Sequence, residues 1–420
     1  MSKILVTGGK RLVGEVNIVG AKNAALGILP ATLLCRGECV LENVPDISDM
    51  RHYETMLRKL GAVVEKTPDG TMKVDTKNVT PDAISEIEEE SRMMRASYYM
   101  IGTLLGLFND VKLPLPGGCD IGARPIDQHI KGFKALGATV DLKDGYIHAY
   151  ADKLIGTRVY FDVVSVGATI NVMLAAVMAE GTTTLENAAK EPHVVDVANF
   201  LNKAGAKVIG AGTDVIKITG VKSLSPVSYS VVADQITAGT YMVAAAATGG
   251  DVVIRNIIPE HLDSISAKLR EMGAEVEENY DSLRVIGHTP VLPTKLKTLP
   301  YPGFPTDLQQ PMGVLMCVAK GQSAITETIF ENRFKYVDEL IKMGASVIVA
   351  GNTAVFNGVE KLTGCPIKAT DLRAGAAMII AALMAEGTSE ITGVEYIDRG
   401  YDNIVNDLKN LGADIERIDS

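Results

Sequence analysis

No stretch of this chain is apolar for long enough to cross a bilayer. The longest runs, such as Ala374 to Ala385, are about one buried helix in length, against the roughly 20 residues that a membrane span requires. Residues Met1 to Val16 hold no apolar signal-peptide core, so a cytoplasmic location is expected. Cysteine is scarce: there are five, an odd number with no CxxC pair. That argues against a disulfide framework and against a zinc site, and it makes reduced thiols the expectation. The six histidines (His52, His129, His148, His193, His261 and His288) have no metal-ligand spacing, and only His129 stands beside a motif, in a supporting place. Basic charge is not in surplus either. Lys and Arg total 41 against 51 Asp and Glu, a net charge of −10, which argues against non-specific binding to nucleic acid or an anionic membrane. An anionic small molecule would need a local cluster of Arg and Lys.

What the chain has is repetition. At 420 residues it exceeds the size at which one core keeps growing, so two domains are expected, with the cleft between them as the natural active site. The dipeptide Gly-Ala occurs at Gly61, Gly137, Gly205, Gly273, Gly344 and Gly412, at intervals of 76, 68, 68, 71 and 68. Each instance has the form of LRKLGAVVE or LREMGAEVE: an amphipathic run, then Gly closing the helix in the left-handed conformation, then a strand. Six copies of about 70 residues account for the chain, and such a period governs the fold. Each copy carries a second helix, for example AKNAALGILPATLLC, VGATINVMLAAVMAE or DLRAGAAMIIAALMAE. These are nearly uncharged all round and so belong inside a core. Strands such as ECVLENV, TTTLENA, DVVIRNI and SAITETI alternate with both helices. The expectation is an α/β fold with three modules in each of two similar domains.

Unusual polar residues collect in the first turns of the apolar helices: Lys22, Asn23, Arg95, Ser165, Asp234, Gln235, Asp307, Asp371 and Arg373. Capping accounts for Asp and Ser. It does not account for the cations, which oppose the helix dipole and point to an anion site at these N-termini. A second signal is the stretch PGGCDIGARPIDQH from Pro116 to His129. Its glycines suit a thiol on an open loop, and Arg124 can favour the thiolate of Cys119, while Asp120 works against it. The bland alternative is an inert buried cysteine, the expectation for Cys35, Cys39, Cys317 and Cys365. The opening ILVTGGKRLVG has adjacent glycines at Gly8 and Gly9 and no following helix, so it is expected to be a two-residue hairpin turn rather than a dinucleotide loop.

Ordered motifs then carry a resemblance: VGAKNAAL (Val19 to Leu26), MRAS (Met94 to Ser97), PGGCDIGARP (Pro116 to Pro125), VSVGAT (Val164 to Thr169), FPTD (Phe304 to Asp307), ETIFENRF (Glu327 to Phe334), DLRA (Asp371 to Ala374) and IDRGY (Ile397 to Tyr401). Over its full length the chain resembles the UDP-N-acetylglucosamine 1-carboxyvinyltransferases, enolpyruvyl transferases of peptidoglycan synthesis. The resemblance implies a two-domain inside-out α/β barrel with buried helices inside and sheets outside. One domain would span 22–230 and the other 1–21 plus 231–420, with the two chain crossings as hinge.

The implied reaction moves the enolpyruvyl group of phosphoenolpyruvate to the 3′-hydroxyl of UDP-N-acetylglucosamine and releases phosphate, with no metal or cofactor. By resemblance Cys119 is the acid, able to form a covalent phospholactoyl adduct and open to alkylation by fosfomycin, and Asp307 is the base. Lys22, Arg95, Arg124, Arg373 and Arg399 would bind phosphate and carboxylate, and Asn23 would hold the tetrahedral centre. Arg124, Pro125, Ile126, Asp127 and Gln128, with Ser165, Val166, Gly167 and Ile329, would contact the uridine diphosphate. Asp371 would be coupled to the hinge or barrel centre. Two departures stand out: Val163 replaces a basic residue of some relatives, and Gln235-Ile236-Thr237 replaces Arg-Ile-Glu. The partners implied are small molecules, not nucleic acid or membrane. Two other readings are a 3-phosphoshikimate 1-carboxyvinyltransferase, which lacks the PGGC loop, and a catalytically silent nucleotide-sugar-binding repeat protein, against which the Cys, Asp and cation set argues.

Overall fold

Six times along the chain an amphipathic helix runs into the glycine of a Gly-Ala pair: Ser48–Lys59, Asp127–Ala135, Pro192–Lys203, Asp263–Glu271, Val337–Lys342 and Ile404–Asn410. This is a computed structural model that describes residues 2–67, 70–115, 117 and 125–419. All six glycines have φ between 92° and 106°, a region in which a Cβ is strained. The alanine that follows each donates its N–H to the carbonyl five residues back, as from Ala62 to Leu57 and from Ala345 to Leu340, both at 3.0 Å. That is the Schellman closure, which satisfies helix-end carbonyls and turns the chain into the next strand. The repeat read from sequence is therefore a repeat of helix terminations.

The apolar helices are Lys22–Ala31, Tyr99–Phe108, Val166–Ala176, Gln235–Ala247, Gln309–Met316 and Leu372–Met384. They are buried at nearly every position, as helices without a polar face must be. Small residues let them approach closely. A Cβ on Gly102 would stand 2.1 Å from the Asn171 carbonyl oxygen of the Val166–Ala176 helix. Ahead of Tyr99–Phe108 the chain breaks: Glu88–Met93 ends at an extended Met94, and a fresh 3₁₀ turn begins at Arg95. Among the described residues no helix is long and apolar enough to cross a membrane.

Among the described residues the strands form five four-stranded sheets and one three-stranded sheet. In every four-stranded sheet one edge strand is parallel to its neighbour and the other pairings are antiparallel. The chain divides into two compact units. One holds described residues 20–117 and 125–232, the other 2–19 and 233–419, and each has three sheets and three of the apolar helices. In the second unit Lys3–Thr7 lies between Thr388–Thr392 and Asp414–Ile418, and Val13–Asn17 runs parallel to Asp251–Arg255. In the first, Ser228–Ser230 runs parallel to Glu38–Glu42.

The glycines at 8 and 9 do not make the expected hairpin, because the strands on either side of them belong to different sheets. The Gly8 and Gly9 N–H groups donate instead to the carbonyls of Gly387 and Leu383. A Cβ on Gly8 would lie 2.2 Å from the Ala385 carbonyl oxygen. Glycine is needed there for close backbone approach to the end of a buried helix, not for a turn.

Candidate active site

Three of the polar residues at the apolar helix starts are caps. Ser165 Oγ accepts from Ala168 N–H at 3.2 Å, Asp234 Oδ1 from Ile236 N–H at 2.9 Å, and Asp371 Oδ1 from Arg373 and Ala374 N–H at 2.9 and 3.0 Å. Each satisfies helix donors that would otherwise be orphaned. Asp371, expected to be coupled to the hinge or barrel centre, fixes the start of the Leu372–Met384 helix, one of its two bonds going to the backbone N–H of Arg373.

Asp307 is different. It sits in the 3₁₀ turn Thr306–Leu308, just before Gln309–Met316, and makes no cap bond. Its Oδ1 accepts from Arg333 Nη2 at 2.6 Å, and its Oδ2 lies 3.1 Å from Arg373 Nε and 3.0 Å from Arg373 Nη2. The two arginine side chains are 4% exposed, and the aspartate 24%. Burial by itself would raise the carboxyl, but the charges of Arg373 and then Arg333 outweigh it and hold it well below the usual carboxylate range. Arg373 also lies over the ring of Tyr401, 5.5 Å from its centroid. Arg333 lies within ETIFENRF, yet no sequence feature assigns it a role. A lone Arg in a polar turn carries no mark of the carboxylate it will meet 26 residues away.

In the other unit Lys22 opens its helix without a side-chain cap, and its Nζ pairs with Asp49 Oδ2 at 2.7 Å, both side chains less than a tenth exposed. Asp49 comes from the first turn of Ser48–Lys59, so burial of the Lys22 charge is compensated by a neighbouring helix. Asn23, next in sequence, is partly exposed; Arg95 is partly exposed too, and its guanidinium lies 5.6 Å from the Tyr98 ring centroid.

Tyr98 leads into a compact network. Asn171 Nδ2 donates to the Tyr98 carbonyl at 2.8 Å and to His129 Nδ1 at 3.0 Å, while its Oδ1 accepts from Gly102 N–H at 2.8 Å. The amide orientation follows from its two backbone partners, and it leaves the His129 proton on Nε2. Burial, helped by the Arg95 charge, pushes the imidazole down to about 3. Nε2 faces Gly167, where a Cβ would stand 3.1 Å from it and 2.6 Å from Tyr98 Oη. The glycine of VSVGAT is therefore required for His129 and Tyr98 to pack on the start of the helix.

Of the other residues expected to touch a nucleotide, Pro125 and Asp127 are exposed or nearly so, and Ile126, Val166 and Ile329 are partly buried. Gln128 is 5% exposed and engaged internally. Its Oε1 accepts from Asp162 N–H at 2.9 Å, and its Nε2 donates to Asp127 Oδ2 at 2.8 Å and Asp162 Oδ2 at 3.2 Å. Its side chain fastens the segment that leads to Val163, itself 60% exposed. Gln235 is half-buried beside the capping Asp234, and Arg399 is half-buried just after the Val394–Ile397 helix. Cys119 and Arg124 lie outside the described residues.

Comparisons with known proteins identify the relatives of the whole chain. The family model described as EPSP synthase (3-phosphoshikimate 1-carboxyvinyltransferase) matches residues 6–408. The UDP-N-acetylglucosamine 1-carboxyvinyltransferase of Clostridium botulinum is 58% identical over 419 residues, covering 100% of both chains. An enzyme named UDP-N-acetylglucosamine 1-carboxyvinyltransferase 3 from Caldanaerobacter subterraneus is 56% identical, again over 100% of both. Among solved structures, the enolpyruvyl transferase NikO from Streptomyces tendae superposes with a TM-score of 0.86 at 25% identity, covering 100% of this chain and 99% of that one. An EPSP synthase from Acinetobacter baumannii, at 18% identity and a TM-score of 0.77 with both chains fully covered, shares the fold. The expected inside-out α/β barrel class is the fold of these enolpyruvyl transferases. The chain belongs to the EPSP synthase (3-phosphoshikimate 1-carboxyvinyltransferase) family and, within it, to the UDP-N-acetylglucosamine 1-carboxyvinyltransferases.

Proposed function

We propose that this protein is a cytoplasmic enzyme that transfers the enolpyruvyl group of phosphoenolpyruvate to the 3′-hydroxyl of UDP-N-acetylglucosamine, releasing phosphate, in the first committed step of peptidoglycan synthesis. The observation that carries this reading is the 58% identity that runs the whole length of the chain. In chemical terms, the hydroxyl oxygen attacks carbon 2 of the enol while carbon 3 gains a proton. The resulting ketal then loses phosphate and the carbon 3 proton, and the double bond is restored. Cys119 is the acid at carbon 3 and Asp307 the acceptor of the hydroxyl proton. Lys22, Arg95, Arg124, Arg373 and Arg399 neutralise the phosphate and carboxylate, for which guanidinium forks are suited. Asn23 holds the tetrahedral centre, and Arg124 to Gln128, Ser165 to Gly167 and Ile329 line the nucleotide.

The double ion pair at Asp307 adds a condition. A carboxylate gripped by two arginines is ionised but weakly basic, whereas a general base works best with a pKa near the working pH. Anionic phosphoenolpyruvate offers Arg373 another partner, and as the arginine turns to it Asp307 recovers basicity. The base is therefore strongest when phosphoenolpyruvate is in place.

The test is phosphate release from phosphoenolpyruvate with UDP-N-acetylglucosamine, repeated with shikimate 3-phosphate. Turnover with the nucleotide sugar alone is expected. Turnover with shikimate 3-phosphate alone would reassign the substrate, and turnover with neither would leave a binding protein.

A further inference from the structure

Glu327 is 2% exposed and stands outside the set of residues that bind or react. Its carboxylate collects donors from three separate segments. Oε1 accepts from Thr298 Oγ1 at 2.8 Å, Ile329 N–H at 2.8 Å and Phe330 N–H at 3.2 Å, and Oε2 accepts from Thr306 Oγ1 at 2.9 Å. Thr298 is held in turn: its hydroxyl oxygen accepts from Thr328 N–H at 2.9 Å, and its backbone N–H donates to the Thr326 carbonyl at 3.0 Å. A buried carboxylate is costly unless its oxygens are satisfied, and here four donors meet two oxygens.

These partners close a ring. Thr306 immediately precedes Asp307, Asp307 is gripped by Arg333 at 2.6 Å, and Arg333 stands three residues after Phe330, whose N–H returns to Glu327. The same oxygen that holds Phe330 holds Ile329. One side chain therefore fixes the backbone under the proton acceptor and the turn that carries both a nucleotide-lining residue and the acceptor's arginine partner.

We propose that Glu327 is a positioning residue for the transfer, setting the distance between Asp307 and the nucleotide bound at Ile329. This role rests on the functional reading of the chain as an enolpyruvyl transferase. Glu327 touches no reacting atom. It acts through Thr306 on Asp307 and through two backbone N–H groups on Ile329 and Arg333. Misplacing a reacting group by about 1 Å can cost on the order of 100-fold in rate, so the arrangement has a kinetic signature as well as a stability one.

The experiment compares steady-state kinetics and melting temperature for the parent enzyme and three variants. Thr306→Val removes only the hydroxyl on the Asp307 side, and kcat is expected to fall about tenfold or more with KM for UDP-N-acetylglucosamine within twofold of the parent. Glu327→Ala also releases Ile329 and Phe330, so kcat should fall and KM for the nucleotide sugar should rise together. Glu327→Gln keeps an oxygen for the Ile329, Phe330 and Thr298 donors, and its amide can donate to the Thr306 hydroxyl, so kcat should return to within a few fold of the parent. Parental kcat in Thr306→Val overturns the proposal, as does a Glu327→Ala variant that loses melting temperature but keeps both constants. If Glu327→Ala fails to fold, Thr306→Val decides. A parent that turns over neither acceptor overturns the functional reading and this role with it, whereas an active parent with unaffected variants overturns this role alone.

Discussion

Arg333 places Nη2 2.6 Å from Asp307 Oδ1 across 26 positions of chain, and with Arg373 on the other oxygen it leaves the aspartate no capping duty. The sequence allows Asp307 two readings, helix cap or base, and a cap would survive replacement by Asn with little change in melting temperature. The structure removes that neutrality. Asp307→Asn leaves two buried guanidinium charges facing a neutral amide. Breaking a buried pair costs about 3–5 kcal/mol, and the partial exposure of the carboxylate sets the expectation at or below the lower end. The variant should melt several degrees lower by calorimetry and lose about two to four orders of magnitude in turnover. An unchanged melting temperature would mean that the ion pair contributes nothing in solution.

His129 sets a pH dependence whose sign can be worked out. Its folded-state value is pushed down to about 3 by burial and then by Arg95, against about 6.5 when unfolded. Between those values the unfolded chain binds a proton that the folded chain does not, so stability is present above about pH 6.5 and is lost as pH falls toward 3, by up to about 1.4 kcal/mol per pH unit. Asp307 behaves differently: its depressed carboxyl keeps its stabilisation until pH falls below the ordinary carboxylate value of about 3.9. His129→Gln, which retains an acceptor for Asn171, should flatten the loss measured by denaturant unfolding between pH 6.5 and 4. A slope equal to the parent's would place the titration elsewhere.

The legible parts of this fold are those written in neighbouring residues. Gly61, Gly137, Gly205, Gly273, Gly344 and Gly412 follow amphipathic runs, and all six take the left-handed helix termination, because a Schellman closure depends on a handful of adjacent positions. The caps Ser165, Asp234 and Asp371 are local in the same way. What sequence could not supply are partnerships made in three dimensions: Asp49 under Lys22, Arg333 on Asp307, Glu327 beneath Thr306, and Asn171 on His129. Gly8 and Gly9 show the same limit, since their reason lies at Ala385 and Leu383. Gln128 was legible as a motif residue, but its amide is used on Asp162.

The Lys22–Asp49 pair, less than a tenth exposed on both sides, should behave as a buried pair. Asp49→Ala alone removes the carboxylate paired with a buried ammonium, an expected loss of up to about 3–5 kcal/mol. Lys22→Met combined with Asp49→Ala removes both charges and should cost less than the sum of the single changes, a coupling that a double-mutant cycle measures directly. Additive losses would show that water or another group already satisfies Lys22.

Thiol reactivity gives the last prediction, because the four described cysteines each fail one of its two requirements, a thiolate and access. Cys35 and Cys317 are 2% and 1% exposed. The bond to Cys39, followed by burial, pushes Cys35 up, and burial pushes Cys317 up to about 12. Cys39 is favoured as a thiolate by its hydrogen bond from Cys35, yet it is fully buried and out of reach of a reagent. Cys365 is partly exposed, but burial and the Glu339 charge raise its thiol. Brief treatment of the folded protein with fosfomycin at neutral pH, followed by peptide mass mapping, should therefore place the adduct on Cys119 alone, and Cys119→Ser should take up none. Label on any of the other four thiols at a comparable rate would show that the cysteine of PGGC is not the activated one.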